Sequence, residues 1–274
     1  METVWLRTVS LLSSSQLVLN LHFNLRHMQC PRAPQFGPSL VIQPQQQVEA
    51  AVIWLHGMMD NPDHWARKIQ EVAPPSWKVV LLRSPRFPIS YLGGTVAAAW
   101  GDFKDRSAVH VGGEDHERED CILPESVAEV HHAIDMLLQD GLPAERVAVA
   151  GFSQGAALAA EAALKFPQRL AALAVLCGWL TPGARSTLAT GANRSTPVFL
   201  GHSQSDEEVE FECAEFLQRA LVETGAPVKF YTMNHTAHIP ASFKLLPQAV
   251  QFLSEAFAGD AIVSEEHTAV GSSL

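Results

Sequence analysis

The sequence has few cysteines and little positive charge. Its 274 residues include four cysteines, which lie far apart and form no C-x-x-C pair. This pattern argues against a zinc site or a disulfide framework and fits a reducing compartment. Lys and Arg number 19 against 29 Asp and Glu, a formal net charge of −10. A general nucleic-acid-binding surface or an electrostatic attachment to membranes is therefore not expected.

Long hydrophobic runs are also missing. The longest apolar stretch, Leu170 to Leu180, is too short to cross a bilayer as a helix, so no transmembrane segment is predicted. Hydrophobic residues nevertheless make up 47% of the chain, which is ample for a sizeable core. The composition therefore indicates an acidic, soluble, globular protein.

Residues 1–38 differ in composition from the rest of the chain. They contain one acidic residue, Glu2, together with scattered Arg and His and a run of three serines. We consider three interpretations: a mitochondrial-type targeting segment, a poorly ordered extension, or a stretch upstream of a start at Met28. A single domain is predicted over residues 39–257, and residues 258–274, polar and rich in small side chains, are predicted to be a flexible tail.

Short apolar runs alternate with helical patterns along the predicted domain. Runs such as Ala50–Leu55 and Ala171–Leu176 are apolar at every position, which is typical of parallel strands buried on both faces. Amphipathic patterns such as Pro124–Leu138 separate them and end at glycine or proline. This alternation predicts an α/β fold of three layers, with a mostly parallel central sheet and helices on both faces. The long stretch Ser84–Leu123 has no clear period and is expected to be a lid or binding loop.

A reactive serine is predicted at a strand-to-helix turn. The pentapeptide Gly151-Phe152-Ser153-Gln154-Gly155 follows an apolar run and opens into an alanine-rich helical pattern, which is the context of a nucleophile elbow. The glycines permit a strained turn and a close approach of strand and helix. Such a turn exposes the Oγ of Ser153 beside free N–H groups at the helix N-terminus, where a developing oxyanion would be stabilised.

Candidates for an acid and a base follow two later strands. Asp206 comes after the run Pro197–His202, and both His235 and His238 come after Val228–Thr232. In open parallel sheets the ligand crevice lies beyond the carboxyl ends of the strands. The order serine, acid, histidine is the order of the α/β-hydrolases.

These residue types suit acyl transfer. A serine hydroxyl needs an imidazole to take its proton and return it to the leaving group, and a carboxylate holds that imidazole in one tautomer. Ser153, a histidine and Asp206 are predicted to fill these roles. The predicted oxyanion-hole donors are the backbone N–H groups of Gln154 and of Met58, which lies in the loop after the first core strand.

Five short motifs carry a resemblance to a known family. Residues 151–155 match G-F-S-Q-G at every position. Other segments resemble H-G-x-G-D, W-x-D, G-A-N-R and H-G-x-x-D, namely His56–Asp60, Trp100 with Asp102, Gly191–Arg194 and His202–Asp206. From about Ser39 to Ala256 the chain is similar to the acyl-protein thioesterase and carboxylesterase family, the phospholipase/carboxylesterase group of the α/β-hydrolases.

The resemblance implies a cytosolic serine hydrolase, monomeric or weakly dimeric, that uses no metal and no cofactor. Members of the family cleave carboxylic esters and long-chain acyl thioesters, including palmitoyl-cysteine on proteins. The implied substrates are therefore acyl esters and S-acylated proteins or lipids. A long acyl chain needs an apolar channel, and residues of the Ser84–Leu123 stretch are candidates to form its wall. The alternative is that they only cover the edge of the core. These residues are Phe87, Ile89, Tyr91, Leu92 and Trp100.

Two departures from the family pattern bear on the site, besides Ser203 in place of a glycine. Met59 stands where the oxyanion loop has its second glycine, which would reshape the loop if that position needs a positive φ. An ungapped alignment places His238 at the family histidine, and we favour it as the base, with His235 as the alternative. Rival functions are a short-chain esterase, a dienelactone-type hydrolase, although these usually carry cysteine at the elbow, and a binding protein without turnover.

Overall fold

The computed structural model describes residues 34–102, 122–260 and 262–269. The predictions for the first 33 residues, including the start at Met28, and for residues 103–121 of the long loop lie outside this part of the chain. The strands are β1 (Gly37–Ile42), β2 (Ala50–Leu55), β3 (Trp77–Arg83), β4 (Arg86–Ile89), β5 (Thr95–Ala98), β6 (Val147–Phe152), β7 (Ala172–Leu176), β8 (Val198–Ser203), β9 (Val228–Met233) and β10 (Glu265–Ala269). The helices are α1 (Pro62–Val72), α2 (Pro124–Gln139), α3 (Gln154–Lys165), α4 (Pro182–Arg185), α5 (Phe211–Glu223) and α6 (His238–Ala258).

The central sheet is eight-stranded, in the order β1-β3-β2-β6-β7-β8-β9-β10. Strand β1 is antiparallel to β3, and the other neighbours run parallel. Because β2, β6, β7, β8 and β9 run parallel, their carboxyl ends lie along one edge of the sheet. This is the edge at which a ligand crevice is expected.

Helices cover both faces of the sheet, which confirms the predicted three-layer architecture. Alternate residues of β2 belong to two separate hydrophobic clusters, with Ile53 in one and Val52 in the other. The Ile53 cluster includes Leu158 of α3, whereas the Val52 cluster includes Trp65 of α1. A strand buried on both sides has no polar face, which explains why the sequences of the central strands are unbroken apolar runs.

Three elements depart from the sequence predictions. Strand β1 crosses the predicted domain boundary at residue 38, because a short edge strand with mixed exposure has no apolar run to mark it. The described part of the long loop contains an antiparallel hairpin of β4 and β5. Residues 258–274 were predicted to be a flexible tail, yet β10 pairs in parallel with β9. Of the described helices, none is long and apolar enough to cross a membrane.

Candidate active site

Ser153 lies at the turn between β6 and α3. Its backbone has φ 56° and ψ −125°, a conformation that L-residues rarely adopt. A Cβ at Gly151 would lie 2.4 Å from the carbonyl oxygen of Gly155, and one at Gly155 would lie 2.4 Å from that of Leu55. Both glycines are therefore required by the close approach of strand and helix at this turn.

The structure brings Asp206 and His238 together. The Nδ1 of His238 donates to Oδ2 of Asp206 at 2.6 Å, and Oδ1 accepts the N–H groups of Glu208 and Val209, each at 2.9 Å. Burial favours a higher pKa for the Asp206 carboxyl, but the hydrogen bond from His238 and the nearby histidines outweigh it and lower that pKa. The carboxylate is therefore ionised at neutral pH and orients the His238 ring.

His238 is held next to the turn that carries Ser153. It is the first residue of α6, and its ring packs on that of Phe152 with 4.6 Å between centroids. His235, the alternative base, is exposed, and its backbone N–H donates to the Oγ of Ser205 at 3.2 Å. Of the two candidate histidines, the structure places His238 against Asp206.

The loops that carry the acid and the base are tied together by further hydrogen bonds. The hydroxyl of Ser203, the residue in place of the family glycine, donates to the carbonyl oxygen of Thr236. The backbone N–H of His238 donates to the Glu207 carboxylate at 3.1 Å. These bonds fix the loop after β9 relative to the loop after β8, and so they help to set the orientation of His238.

A second histidine, His202, also lies next to Asp206. Its Nε2 donates to the carbonyl oxygen of Val209 at 2.9 Å and is 3.4 Å from Oδ2 of Asp206. Its buried Nδ1 has no hydrogen-bond partner within the described parts of the chain. Burial lowers the pKa of His202, against the opposing effect of the Asp206 carboxylate. His202 is thus neutral near pH 7, since a second ring proton would be buried without an acceptor.

This environment predicts a pH-dependent stability. The unfolded chain protonates His202 near pH 6.5, whereas the folded protein does so only at lower pH. The unfolded state therefore binds more protons in this window, and the stabilisation present above pH ~6.5 is lost as the pH falls. We expect wild-type stability to fall more steeply than that of His202→Gln, by up to about 1.4 kcal/mol per pH unit. Urea unfolding of both proteins between pH 5 and 7.5 measures this, and parallel curves would contradict it.

The predicted oxyanion donors lie on two connected segments. The Nε1 of Trp100 donates to the carbonyl oxygen of His56 at 2.7 Å. The side chain of Gln154 accepts from the N–H of Trp100 at 2.9 Å and donates to the carbonyl oxygen of Gly101 at 3.0 Å. Trp100 and Gln154 thereby connect the loop after β2 to the start of α3. The sequence did not predict that the Gln154 side chain connects these two segments. The W-x-D motif, which begins at Trp100, was the available signal.

Met59 adopts the left-handed conformation that favours glycine. Its φ is 60° and the residue is 64% exposed. Its backbone N–H donates to the carbonyl oxygen of Ala98 at 2.7 Å. The loop after β2 thus has a left-handed residue at the family's glycine position, and the Met59 side chain makes that conformation strained.

Met59→Gly is expected to stabilise the protein. A left-handed L-residue costs about 1–2 kcal/mol, and glycine's greater freedom in the unfolded chain offsets roughly 0.5–1 kcal/mol of the relief. The net gain in the free energy of unfolding is about 0.5–1 kcal/mol. Urea unfolding at pH 7.5 measures it, with Met59→Ala as the matched control because alanine keeps the strain. Equal stability of the two variants would contradict this explanation.

Positive φ angles recur where strands of the central sheet end. Within the described ranges, the non-glycine residues with positive φ are Met59, Ser153, Cys177 and His235, which follow β2, β6, β7 and β9. Backbone strain of this kind persists only where the surrounding structure imposes it, and it gathers at functional sites. The pattern therefore marks this edge of the sheet independently of any motif.

The remaining residues of the family motifs make hydrogen bonds that support the fold. The Asp102 carboxylate accepts the backbone N–H of Ser90 at 2.8 Å, which holds the hairpin turn. Asn193 accepts the N–H of Leu170 at 2.8 Å, near the start of β7 and so at the opposite edge of the sheet. Of the residues expected to wall an acyl channel, Ile89 and Trp100 are fully buried. Phe87, Tyr91 and Leu92 are partly buried and, like Met58, pack against a small cluster of Ile89, Ala97 and Ala99.

These features define the α/β-hydrolase fold, a parallel sheet with a serine at a strand-to-helix turn and an Asp-His pair at the ends of later strands. The chain belongs to the phospholipase/carboxylesterase family, whose family model matches residues 37–255. The carboxylesterase SOBER1 of Arabidopsis thaliana is 30% identical over 199 residues, which cover 68% of this chain and 82% of that protein. Acyl-protein thioesterase 1 homolog 2 of Dictyostelium discoideum is 29% identical over 202 residues, 72% of this chain and 88% of that protein.

Solved structures agree on the fold. The crystal structure of Arabidopsis thaliana SOBER1 superimposes with a TM-score of 0.66 at 24% identity, covering 76% of this chain and 98% of that one. That of Zea mays acyl-protein thioesterase 2 superimposes with a TM-score of 0.62 at 24% identity, covering 81% and 99%.

Proposed function

We propose that this protein is a serine hydrolase of carboxylic esters and acyl thioesters, with Ser153 as nucleophile, His238 as general base and Asp206 as its orienting carboxylate. One observation carries the proposal. The His238 ring packs on Phe152, the neighbour of Ser153, while its Nδ1 bonds Asp206 at 2.6 Å. With Nδ1 engaged, Nε2 is the nitrogen left to serve Ser153.

The first half-reaction transfers the acyl group to the enzyme. Nε2 of His238 takes the hydroxyl proton as the Oγ of Ser153 attacks the acyl carbon, and Asp206 stabilises the imidazolium that forms. The imidazolium then gives the proton to the departing alkoxide or thiolate, leaving an acyl-Ser153 ester. A water molecule, deprotonated by His238, attacks this ester, and the acid is released with Ser153 restored.

The negative charge of each tetrahedral intermediate falls on the former carbonyl oxygen. The N–H of Gln154 is at the first position of α3, where helical backbone donors have no partner within the helix. The N–H of Met58 donates to no other described residue. Both donors are thus available for the oxyanion, and one such donor lowers the barrier by about 3–4 kcal/mol in comparable enzymes.

The finer proposal is that the substrate is a long-chain acyl thioester on a protein, and the name of one relative, an acyl-protein thioesterase homologue, supports the thioester. Relatives at 29% and 30% identity are named as an acyl-protein thioesterase homologue and a carboxylesterase. A thioester suits the proposed site, because a thiolate needs little protonation help to depart. A cytoplasmic location and a monomeric or weakly dimeric state stay predictions of the sequence.

A fluorophosphonate probe tests the reaction class. The purified chain is expected to form a covalent adduct, and mass spectrometry of the digest is expected to place it on the peptide that contains Ser153. Heat-unfolded protein is the control, since an ordinary serine reacts equally in both states. A folded protein that stays unlabelled would favour the alternative of a binding protein without turnover.

Acyl-chain preference tests the finer proposal. Rates are compared on p-nitrophenyl esters of short and long acids and on a peptide with a palmitoyl-thioester. A higher kcat/KM for the palmitoyl peptide than for the acetate ester supports an acyl-protein thioesterase. The reverse order would indicate a short-chain esterase, in agreement with the burial of Ile89 and Trp100 in the core.

A further inference from the structure

Three potential metal ligands converge beside the proposed catalytic base. The Cys177 Sγ, a carboxylate oxygen of Asp206 and a ring nitrogen of His238 all lie within 4.8 Å of one another. Cys177 follows β7, and its backbone N–H donates to the carbonyl oxygen of Gly201 on β8 at 2.8 Å. The thiol is fully buried, so the fold holds it against the acid and the base.

We propose that Cys177, Asp206 and His238 form a binding site for Zn²⁺, and that zinc reversibly inhibits the hydrolase by capturing its base. The inhibition rests on the proposed function, whereas the binding does not. Thiolate, imidazole and carboxylate are the ligands that zinc prefers, at about 2.0–2.3 Å. Tetrahedral coordination at those lengths separates ligand atoms by about 3.3–3.8 Å, so the ligands need to shift by only about 1 Å from their present positions.

The charges of the cluster suit a buried divalent cation. One thiolate and one carboxylate neutralise Zn²⁺, so the occupied site has no net charge and avoids the cost of burying an unpaired ion. Burial and the nearby Asp206 carboxylate raise the pKa of the Cys177 thiol, so the metal-free thiol keeps its proton. Zinc binding releases that proton, and affinity therefore increases with pH. Three protein ligands leave a fourth position for water.

Capture by zinc changes the tautomer of His238. In the free protein Nδ1 carries the proton that is donated to Asp206, and Nε2 has the lone pair. A neutral imidazole that binds zinc through Nδ1 carries its proton on Nε2. It then has no lone pair for the Ser153 hydroxyl, so the proposed nucleophile loses its base. The ring stays neutral, and the net proton released is that of Cys177.

Cobalt spectroscopy tests the binding separately from catalysis. The variant Cys30→Ser/Cys121→Ser/Cys213→Ser keeps Cys177 as its only thiol, and addition of Ser153→Ala removes the nucleophile without removing a ligand. Titrated with Co²⁺, this protein is expected to show a thiolate-to-cobalt charge-transfer band that saturates at one ion per chain and disappears when Zn²⁺ displaces the cobalt. The same protein with Cys177→Ser is expected to show none. Absence of the band from the Cys177-containing protein overturns the site, whether or not the chain is a hydrolase.

Inhibition is measured on wild type and on single cysteine variants. The rate of each protein with Zn²⁺ is expressed relative to its own rate without metal. Zn²⁺ is expected to abolish ester hydrolysis, with recovery on adding EDTA. Cys177→Ser should raise the half-inhibitory concentration by at least about tenfold, since losing partners outside the ligand shell already costs about 10–100-fold in affinity. Cys213→Ser, which changes a second buried cysteine in the described part of the chain, should leave the half-inhibitory concentration unchanged. Equal zinc sensitivity of wild type and Cys177→Ser overturns the inhibitory role. If Cys177→Ser does not fold, Cys177→Ala provides the same comparison.

Discussion

Ser153→Ala is expected to lower kcat for ester hydrolysis by roughly 10⁴- to 10⁶-fold, the range found when the nucleophile of a serine hydrolase is removed. Ser153 is the only side chain proposed to form a covalent bond with the acyl group, so its loss removes both half-reactions. The oxyanion donors are backbone groups and survive the substitution, which leaves a small residual rate above that of water. Initial rates on a p-nitrophenyl ester, with burst kinetics to detect the acyl-enzyme, measure the effect.

Ser186→Ala is the matched control, because the Ser186 hydroxyl is exposed and donates only to the carbonyl oxygen of Gly183. It should retain the wild-type rate. Ser153→Ala should also unfold at about the same temperature as wild type, since the Ser153 side chain makes no capping hydrogen bond to α3. A folded Ser153→Ala protein with more than about a tenth of the wild-type kcat would contradict the assignment of the nucleophile.

The central fold could be predicted from the sequence because its strands are buried on both faces. Runs such as Ala50–Leu55 contain no polar residue, and glycine or proline ends the intervening helices, so the alternation that defines a parallel sheet is visible directly. The edges were harder to predict. Strand β1 has mixed exposure, and β10 depends on pairing with β9, a partner that no local pattern identifies.

The residues of the candidate site could be predicted from the sequence because each of them comes after a predicted strand. Ser153, Asp206 and His238 were found this way. His235 and His238 follow the same strand and are three residues apart, so the fold was needed to show which of them contacts Asp206. Cys177 also follows a strand, but an apolar run surrounds it, and its position beside the acid depends on the order of β7 and β8. His202 was identified as the first residue of a family motif, but its contact with Asp206, which spans the turn after β8, was not predicted.

Replacing each histidine by asparagine is expected to separate the two candidates for the base. His238→Asn should lower kcat by roughly 10⁴- to 10⁶-fold, as removal of the general base does in other serine hydrolases. Its amide can still donate to Asp206 but cannot accept the serine proton and return it. His235→Asn should change kcat by no more than a few-fold, because His235 is exposed and contacts Ser205 through its backbone. Asparagine also tolerates the φ of 52° at this position.

The pH dependence of the residual rate makes the test specific to proton transfer. If His238 is the base, the pH profile of kcat/KM should change shape in His238→Asn and match that of wild type in His235→Asn. Hydroxide then becomes the effective base in His238→Asn, so its low rate should climb steadily at alkaline pH. Thermal unfolding shows that both variants are folded. A loss confined to His235→Asn would mean that the loop after β9 rearranges during turnover and brings His235, three residues earlier, to the carboxylate of Asp206.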